Sequence, residues 1–496
     1  MTFSLTPPFG ALIDTRNPSL DPLAPAPSRA VIIGGGMGGL LAARALALHF
    51  DEVMVLERDS LSTGDGHRKG TPQSHHVHAL LGRGLMTIER MMPGFTADLV
   101  ARGAVTSDAM TRVGWHQAEI RHASGPAGFT AVVASRPLIE AVLRERVRAI
   151  ANVTIREQVA VHDLRWNAPR TRVTGVIASS ASGERGFDLP ADLVVDASGR
   201  GTRIGDWLEQ AGYECPAEQV LDINVRYASR LFRRRAGDFG GNVVTIVSAV
   251  PENQRGGLAF AVEGDRWLVT LSGRNGLTPP ADLEGFIAYA AELDADDIAR
   301  FLRQAEPLGE AKTYFMPRSR RRFARAPERF PDGLLPFADA ICAFNPVFGQ
   351  GMSVAAMEAS VLNACLDDGT ESLIQRFLAG CAPVVDGAWK LAAGNDLRFL
   401  PGRPALPRGI RMLHWYLDQL NIAAGHDVEV ARAFAKVVHM MEPPPSLMRP
   451  AIVARVMRTR LTRLAPSSRA PRSISIDQAG LGYGGEAPSP APDLAS

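Results

Sequence analysis

The chain has 496 residues, 46% hydrophobic and 21% charged, which is typical of a soluble globular protein with two or more structural units. Its 54 basic and 52 acidic residues give a net charge of +2. The overall charge therefore gives no reason to expect nucleic acid or an anionic membrane as a partner, and only local patches remain to be judged. No stretch reaches about 18 uncharged apolar residues, so no transmembrane segment is predicted.

Cysteine usage and the chain ends bear on the cellular compartment. Four cysteines without a CxxC pair do not make a disulfide framework. The first residues lack the basic start and apolar core of a signal peptide, so we expect a cytoplasmic protein. Residues 1–28 and 465–496, which are rich in proline and serine, are predicted to be flexible tails.

Residues 29–57 have the pattern of a βαβ unit: RAVIIGG, an Ala- and Leu-rich helix, then EVMVLERD. Gly34, Gly36 and Gly39 fit GxGxxG in the first turn. The first glycine makes the tight turn, the second admits a pyrophosphate to the backbone, and the third lets helix pack on strand. Glu57 follows Gly36 by 21 residues (57 minus 36), where a carboxylate would accept hydrogen bonds from a ribose. The pattern predicts a dinucleotide site; the alternative is a glycine turn that serves packing alone.

The middle of the chain changes character. Residues 137–150 have helical apolar spacing, and strand-like runs follow to residue 196. Between about 205 and 330, VLDINVRYASRLF, NVVTIVSAV, GLAFAVEG and RWLVTLSG predict an antiparallel sheet, with a tight Gly-Asp turn joining the last two. Residues 334–366 return to strand, glycine-rich turn and helix, and the remainder to 464 is mostly helical.

Two later segments resemble signature sequences of FAD-dependent monooxygenases of the p-hydroxybenzoate hydroxylase fold. DLVVDASGRGTR (192–203) is similar to the family's Asp-Gly motif, which contacts FAD and is linked to NADPH use; Asp196, Gly199 and Arg203 match, and Ala197 replaces a glycine. LLPFADAICAFNPVFGQGM (334–352) is similar to the Gly-Asp motif, whose aspartate binds the ribityl chain. In this motif Ala338 replaces a glycine, and the matching residues are Asp339, Pro346, Gly349, Gly351 and Met352.

Two more stretches, HRKGTPQSHHVHALL (67–81) and ASRPLIEAVL (134–143), resemble flavin epoxidases of polyether antibiotic pathways. The resemblance covers roughly residues 29–385. The cofactor-binding residues that the spacing and the resemblance together imply are Gly34, Gly36, Gly39, Glu57, Arg58, Arg136, Asp196, Asp339, Pro346, Gly349, Gly351 and Met352.

The predicted fold class is α/β: a Rossmann-like FAD-binding domain interleaved with an antiparallel-sheet substrate domain, followed by a C-terminal helical region. The predicted parts are FAD-binding at 29–75, 130–204 and 331–385, substrate domain at 76–129 and 205–330, and helical region at 386–464.

The resemblance implies monooxygenation. NADPH or NADH would reduce FAD, and a flavin hydroperoxide would then transfer one oxygen atom of O₂ to an apolar small molecule, by epoxidation or hydroxylation, in secondary metabolism. The cofactor supplies the difficult chemistry, and no catalytic residue is predicted. The alternatives are an FAD-dependent reductase or dehydrogenase of an isoprenoid-like substrate, and a non-catalytic flavin-binding protein.

Several conspicuous residues have plainer explanations. His75, His76 and His78 have no clustered acid or cysteine to complete a metal site, so we predict a loop beside the flavin and no metal. The arginine groups at 230–235 and 317–329 are candidates for binding an acidic carrier protein or the NADPH 2′-phosphate, although solvated surface is the favoured interpretation. A separate flavin reductase is another candidate partner. The six tryptophans form no WxW, so the WxWxIP signature of flavin halogenases is absent.

Overall fold

The computed structural model describes residues 29–61, 66–181, 186–324, 327–400 and 406–464, and the two predicted tails lie outside them. The strands are β1 (Arg29–Ile33), β2 (Glu52–Glu57), β3 (Val105–Asp108), β4 (Val113–Gln117), β5 (Ile120–Arg121), β6 (Thr130–Val133), β7 (Val153–Glu157), β8 (Val159–Trp166), β9 (Val173–Ser180), β10 (Phe187–Pro190), β11 (Leu193–Asp196), β12 (Gln219–Arg233), β13 (Val244–Ser248), β14 (Arg255–Val262), β15 (Arg266–Arg274), β16 (Lys312–Arg321), β17 (Leu334–Pro336) and β18 (Cys342–Ala343).

The α-helices are α1 (Met37–Leu46), α2 (Gly82–Met91), α3 (Phe95–Ala101), α4 (Arg136–Arg148), α5 (Ile204–Gln210), α6 (Leu283–Ala290), α7 (Asp297–Leu302), α8 (Gly351–Asp367), α9 (Leu373–Asp396), α10 (Arg408–Ala424), α11 (Val428–Val438) and α12 (Pro450–Leu464). Across the described residues, no helix combines the length and the apolar character needed to cross a bilayer.

A parallel sheet with the order β17-β11-β1-β2-β7 forms the first layer. Its central strand β1 is a continuous apolar run in which Ala30, Val31 and Ile32 are fully buried, as expected for a parallel strand covered on both faces. Helix α1 packs against both α4 and α8. Strands from three distant stretches of sequence therefore share one layer.

A second sheet forms the second layer, with the order β18-β16-β12-β15-β14-β13-β4-β5. Its strand pairs are antiparallel except for β13 and β4, which run parallel; we call it the antiparallel sheet. Val262 pairs with Arg266 across the hairpin between β14 and β15, so the loop has three residues. Two of them, Gly264 (φ +70°) and Asp265 (φ +48°), are left-handed, a conformation that glycine and aspartate tolerate in turns. Phe232, Trp267 and Phe286 lie in a separate hydrophobic core beneath this sheet. With the parallel layer and the helical C-terminal region, the sheet confirms the predicted fold class.

The predicted substrate segment 76–129 divides between the two layers. Strands β4 and β5 join the antiparallel sheet, whereas α2 and α3 contribute Leu85, Ile88 and Leu99 to the core of the parallel layer. Gly84 explains the close approach of α2 to α8, because a Cβ there would lie 2.6 Å from the Cα of Ser353. Helix α2 thus packs against a helix whose contact residue, Ser353, lies 269 residues after Gly84 (353 minus 84).

Helices α10 to α12 have a core of their own. Tyr416, Leu420, Val430 and Val456 pack together with Met110, which comes from the segment between β3 and β4. Helix α9 runs through the predicted boundary at 385/386 without a break and carries the chain from the parallel layer towards this helical region.

Candidate functional site

The glycine turn after β1 is the first part of the site. Gly34 has φ +103°, and a Cβ on it would lie 2.6 Å from the carbonyl oxygen of Ala197. A Cβ on Gly39 would lie 1.8 Å from the carbonyl oxygen of Gly34. A side chain is therefore excluded at Gly34 by the left-handed backbone and the contact with Ala197. At Gly39 it is excluded by the close packing of α1 on the turn. Gly36 precedes the first turn of α1, where among the described residues no side chain caps the helix and no acid is present.

The turns after β11 and β17 meet the glycine turn at the carboxyl edge of the parallel sheet. A Cβ on Gly38 would lie 2.8 Å from the Cβ of Ala338. The Phe337 N–H donates to the Asp196 carbonyl at 2.9 Å. The predicted motifs at 34–39, 192–203 and 334–352 are therefore one structural feature, at the edge where open α/β sheets bind ligands.

Glu57 ends β2 beside this turn and is buried. Its Oε2 accepts the Gly35 N–H at 2.8 Å and the Arg68 Nη1 at 2.8 Å, while Oε1 accepts the Asp59 N–H at 2.9 Å. A carboxylate offers about four acceptor positions, so one remains for a ribose hydroxyl. Arg58, which was also predicted to bind the cofactor, is exposed.

Arg68 links Glu57 to a second buried carboxylate that the sequence did not reveal. Its Nε donates to Glu140 Oε1 at 2.9 Å, and Arg136 Nη2 donates to Glu140 Oε2 at 3.0 Å. Burial would raise the pKa of Glu140, but the charges of Arg136 and Arg68 outweigh it and lower that pKa. A recess lined by Arg68, Arg136 and Glu140 opens here, and a Cβ on Gly36 would lie 3.2 Å from Arg68 Nη2.

Asp196 is fully buried and shapes its own turn. Its Oδ1 accepts the Ser198 N–H at 3.0 Å, and its Oδ2 accepts the Thr202 hydroxyl. Burial raises the pKa of the Asp196 carboxyl, against these hydrogen bonds. The side chain therefore supports the backbone of the motif, and its contact with the cofactor stays a prediction.

Two arginines of the same turn point in different directions. Arg203, which matches the motif, donates to the His162 carbonyl at 2.8 Å on the surface and lies over the Trp207 ring. Arg200 instead donates to the Tyr314 hydroxyl at 2.9 Å. The sequence motif predicted a role for Arg203, whereas Arg200 is the arginine that faces the site.

Asp339 follows β17 and is half-buried. Burial raises the pKa of its carboxyl, while the charges of Arg200 and Arg136 oppose the increase. The preceding residue, Ala338, has φ +56°, a left-handed conformation in which glycine is favoured. Its N–H donates to Glu358 Oε2 at 2.7 Å. Burial also raises the pKa of Glu358, to about 8.

The remaining motif residues form the entry to α8. Pro346 begins a short 3₁₀ turn in which Asn345 Oδ1 accepts the Val347 N–H at 3.1 Å. Gly349 has φ +63°, and a Cβ there would lie 2.9 Å from the Ala79 Cβ. Gly351 is the first residue of α8, and its Cβ position is 3.7 Å from Asp339 Oδ1. The side chain of the next residue, Met352, is buried in the core of the parallel layer.

Asp396, at the end of α9, connects the helical region to the turn that precedes α8. Its Oδ1 accepts Asn345 Nδ2 at 2.8 Å and Arg274 Nη1 at 2.8 Å. Burial raises the pKa of Asp396, and Arg274 opposes that increase. The antiparallel sheet, the motif turn and the C-terminal region thus share one buried ion pair.

The three histidines lie on a 3₁₀ turn (Pro72–His75) and the loop after it. His75 stacks on His67 with 3.6 Å between ring centroids. His76 Nδ1 is 2.7 Å from Ser229 Oγ of the antiparallel sheet. Burial lowers the pKa of His76 to about 3 and that of His78 to about 4, so both rings are neutral at pH 7. Among the described residues, no group of His, Cys, Asp and Glu is arranged to hold a metal.

The predicted basic groups are largely neutralised by neighbouring acids. The ion pairs are Arg233 and Arg235 with Glu306, Arg318 with Asp222, Arg320 and Arg322 with Glu218, and Arg321 with Asp386. These arginines therefore serve the structure more than an external anion.

Several buried polar atoms at this junction have no partner within the described part of the chain: Arg136 Nε, His76 Nε2, Gln350 Oε1 and Asp396 Oδ2. A buried polar atom left without a hydrogen bond costs about 1–3 kcal/mol. These atoms include both donors and acceptors. They lie next to the turn in which glycines leave the backbone accessible to a ligand. The residues present therefore fit a long ligand with phosphate, hydroxyl and ring-amide groups, as FAD has.

Comparison with known proteins places the chain in a family. No family model matches it. It is 34% identical over 429 residues to Protein Rv3254 of Mycobacterium tuberculosis (strain ATCC 25618 / H37Rv), covering 83% of this chain and 90% of that protein. The chain belongs to the Rv3254 family.

Solved structures extend the comparison to more distant proteins. PqsL, a probable FAD-dependent monooxygenase from Pseudomonas aeruginosa, superimposes with a TM-score of 0.57 at 16% identity, covering 75% of this chain and 98% of PqsL. The flavin-dependent brominase Bmp2 gives 0.61 at 16% identity, covering 88% of this chain and 100% of Bmp2. This member of the Rv3254 family therefore has the fold found in FAD-dependent monooxygenases and flavin-dependent halogenases.

Proposed function

We propose that the chain is an FAD-dependent monooxygenase that transfers one oxygen atom of O₂ to an apolar small molecule. The observation that carries this proposal is the convergence of the three motif turns on one edge of the parallel sheet. At this edge Gly34 and Gly39 leave no room for a Cβ, and polar atoms that have no partner among the described residues line the junction with the antiparallel sheet.

The chain's own residues suggest how FAD would be held. The uncapped first turn of α1 offers N–H groups to the pyrophosphate. The remaining acceptor of Glu57 suits a ribose hydroxyl, and Asp339 suits the ribityl hydroxyls. Gln350, at the start of α8, has a buried Oε1 with no partner in the described part of the chain, and this acceptor suits an N–H at the edge of the ring. We propose that Asp196 supports this arrangement by fixing the turn beside Gly34.

When bound, FAD would supply the redox chemistry, with NADPH or NADH as the proposed reductant. The protein's part is to exclude water and to orient the substrate. His78 is a neutral ring at pH 7, because burial and Arg136 lower its pKa. It therefore offers a hydrogen bond and no positive charge. A neutral ring is compatible with epoxidation of an alkene, which needs no charged acid or base from the protein.

The same fold serves a brominase, but the absence of WxW from the sequence favours monooxygenation for this chain. We propose a polyketide or terpenoid alkene as the substrate class, in agreement with the epoxidase-like segments at 67–81 and 134–143.

The first test is the absorption spectrum of the purified protein, followed by NADPH or NADH oxidation under air with candidate alkenes and phenols. We expect a flavin spectrum and a product that carries oxygen from labelled O₂. A colourless protein that binds no added FAD would refute the proposal. Turnover without O₂ would instead identify a reductase. Product formation that requires externally reduced flavin would point to a separate reductase as the partner.

A variant tests the assigned site directly. Asp339→Ala removes one charged acceptor from the ribityl contact, and loss of such a hydrogen bond costs about 1.5–3 kcal/mol, or about 10- to 100-fold in FAD affinity. The matched control is Asp332→Ala, since Asp332 is an exposed residue just before β17 and its loss should leave FAD affinity unchanged. Equal FAD affinity in both variants would contradict the assignment of Asp339.

A further inference from the structure

The first two turns of α10 project from the body of the protein together with the last turns of α12. Residues 408–415 are mostly exposed, and burial of α10 begins at Tyr416. The Arg460 guanidinium lies 4.9 Å from the centre of the Trp415 ring, which places the two helix ends side by side. We call residues 408–415 and 457–463 the α10–α12 tip.

The tip exposes large apolar side chains. Met412 is 68% exposed and Leu461 is 67% exposed, and Leu413 and Trp415 also lie open to solvent. Isolated surface hydrophobics are ordinary, but a cluster at one protruding end marks an interaction surface. Because α10 is exposed here around most of its circumference, the tip is a projection and not a groove for a peptide.

The tip is also basic. It carries Arg408 and Arg411 on α10 and Arg458, Arg460 and Arg463 on α12, five arginines with no acidic residue in either segment. None of the five has an acidic partner among the described residues. In this the tip differs from the arginine groups at 230–235 and 317–329, which are largely paired with Glu306, Glu218 and other acids.

We propose that the α10–α12 tip docks on the surface of an anionic lipid bilayer. Met, Leu and Trp side chains beside arginines are the combination that lies at the boundary between headgroups and acyl chains. The arginines would contact lipid phosphates, and the apolar side chains would enter the layer beneath. A protein partner needs a broad complementary patch, whereas a projecting tip can enter a deformable lipid layer. This contact is peripheral and independent of bound flavin.

The experiment is co-sedimentation of the full chain with vesicles of phosphatidylcholine alone or with phosphatidylserine added. We expect sedimentation with the anionic vesicles only, weakened by high salt. Each arginine near an anionic surface contributes about fivefold to partitioning, so loss of three should lower it about 100-fold. The test variant combines Arg458→Gln, Arg460→Gln and Arg463→Gln.

The matched control replaces three arginines that have acidic partners, by combining Arg233→Gln, Arg235→Gln and Arg320→Gln. This control loses the same formal charge and should bind within about twofold of the unchanged protein, because its arginines lie outside the tip and are paired with Glu306 and Glu218. If the control and the tip variant lose binding equally, net charge and not the tip is responsible, and the proposal is overturned.

Two further variants test the apolar part. Met412→Ser combined with Leu413→Ser should lower partitioning at least about tenfold. Trp415 should show a fluorescence blue shift with anionic vesicles that disappears in Trp415→Phe. Absence of sedimentation with anionic vesicles overturns the proposal and leaves an acidic protein as the occupant of the tip. Equal sedimentation with neutral vesicles also overturns it.

Discussion

Replacing Glu358 by glutamine should remove a large pH dependence from the stability of the protein. Glu358 is fully buried in α8, Oε2 accepts the Ala338 N–H at 2.7 Å, and Oε1 has no partner in the described part of the chain. Burial raises its pKa from 4.5 to about 8, and the neighbouring Asp339 adds to the increase. Glutamine presents an oxygen to the same N–H but has no proton to lose.

The direction and size of this pH dependence follow from the difference in proton binding by Glu358 between the folded and unfolded chains. Below pH 4.5 the carboxyl is protonated in both folded and unfolded chains. Between pH 4.5 and about 8 the unfolded chain releases the proton and the folded chain keeps it. Stability then falls by about 1.4 kcal/mol per pH unit and levels off above about pH 8. The resulting loss is about 1 kcal/mol at pH 5, about 3 at pH 7 and about 5 at pH 8.5.

Urea unfolding of the purified protein and of Glu358→Gln, followed by tryptophan fluorescence at about pH 5, 7 and 8.5, measures this effect. The stability advantage of the variant should grow by about 4 kcal/mol across the range, while titrations common to both proteins cancel. Glu209→Gln is the control, because Glu209 is exposed on α5 and should change stability by no more than about 0.5 kcal/mol at any pH. A constant difference between Glu358→Gln and the parent protein would refute a buried, neutral Glu358.

Other variants test the geometry of the site. Gly39→Ala places a Cβ 1.8 Å from the Gly34 oxygen and should cost about 3 kcal/mol or more, seen as a lower thermal midpoint; an unchanged midpoint would contradict the close contact. Arg68→Met leaves two buried carboxylates without their shared partner and should cost about 3–5 kcal/mol in urea unfolding, whereas Arg102→Met breaks an exposed pair and should cost under about 1. Equal losses would show that burial of Arg68 is unimportant. Ala338→Gly relieves a left-handed alanine and should raise the free energy of unfolding, measured in urea, by up to about 1 kcal/mol; a destabilised variant would contradict this.

Elements coded by adjacent residues could be predicted from the sequence. The β1–turn–α1 unit depends on the spacing of Gly34 and Gly39, and the β14–β15 hairpin depends on Gly264 and Asp265. In each case, the residues that dictate the backbone lie within six positions of one another. Local pattern and final structure therefore agree, and the α/β class with an interleaved antiparallel sheet followed from these units.

Contacts between distant residues could not be predicted. Glu140 meets Arg68 across 72 residues, and Asp396 meets Asn345 across 51, and no local periodicity encodes either pair. The direction in which a side chain leaves a turn could not be predicted either. Arg200 and Arg203 lie three positions apart in one motif, yet Arg200 faces the site and Arg203 lies on the surface. The helical C-terminal region carried no recognisable motif, yet it supplies Asp396 to the entry of α8.

The strand order β17-β11-β1-β2-β7 has a consequence for biosynthesis. β11 pairs with β1 on one side and with β17 on the other, and Leu334 is made 305 residues after Arg29 (334 minus 29). Until the ribosome has passed that point, β11 presents an apolar, unpaired edge to solvent. Such long-range pairing folds slowly and leaves the nascent chain open to aggregation. We therefore expect a chain stopped at residue 330 to be insoluble or captured by chaperones, although it contains the whole glycine turn.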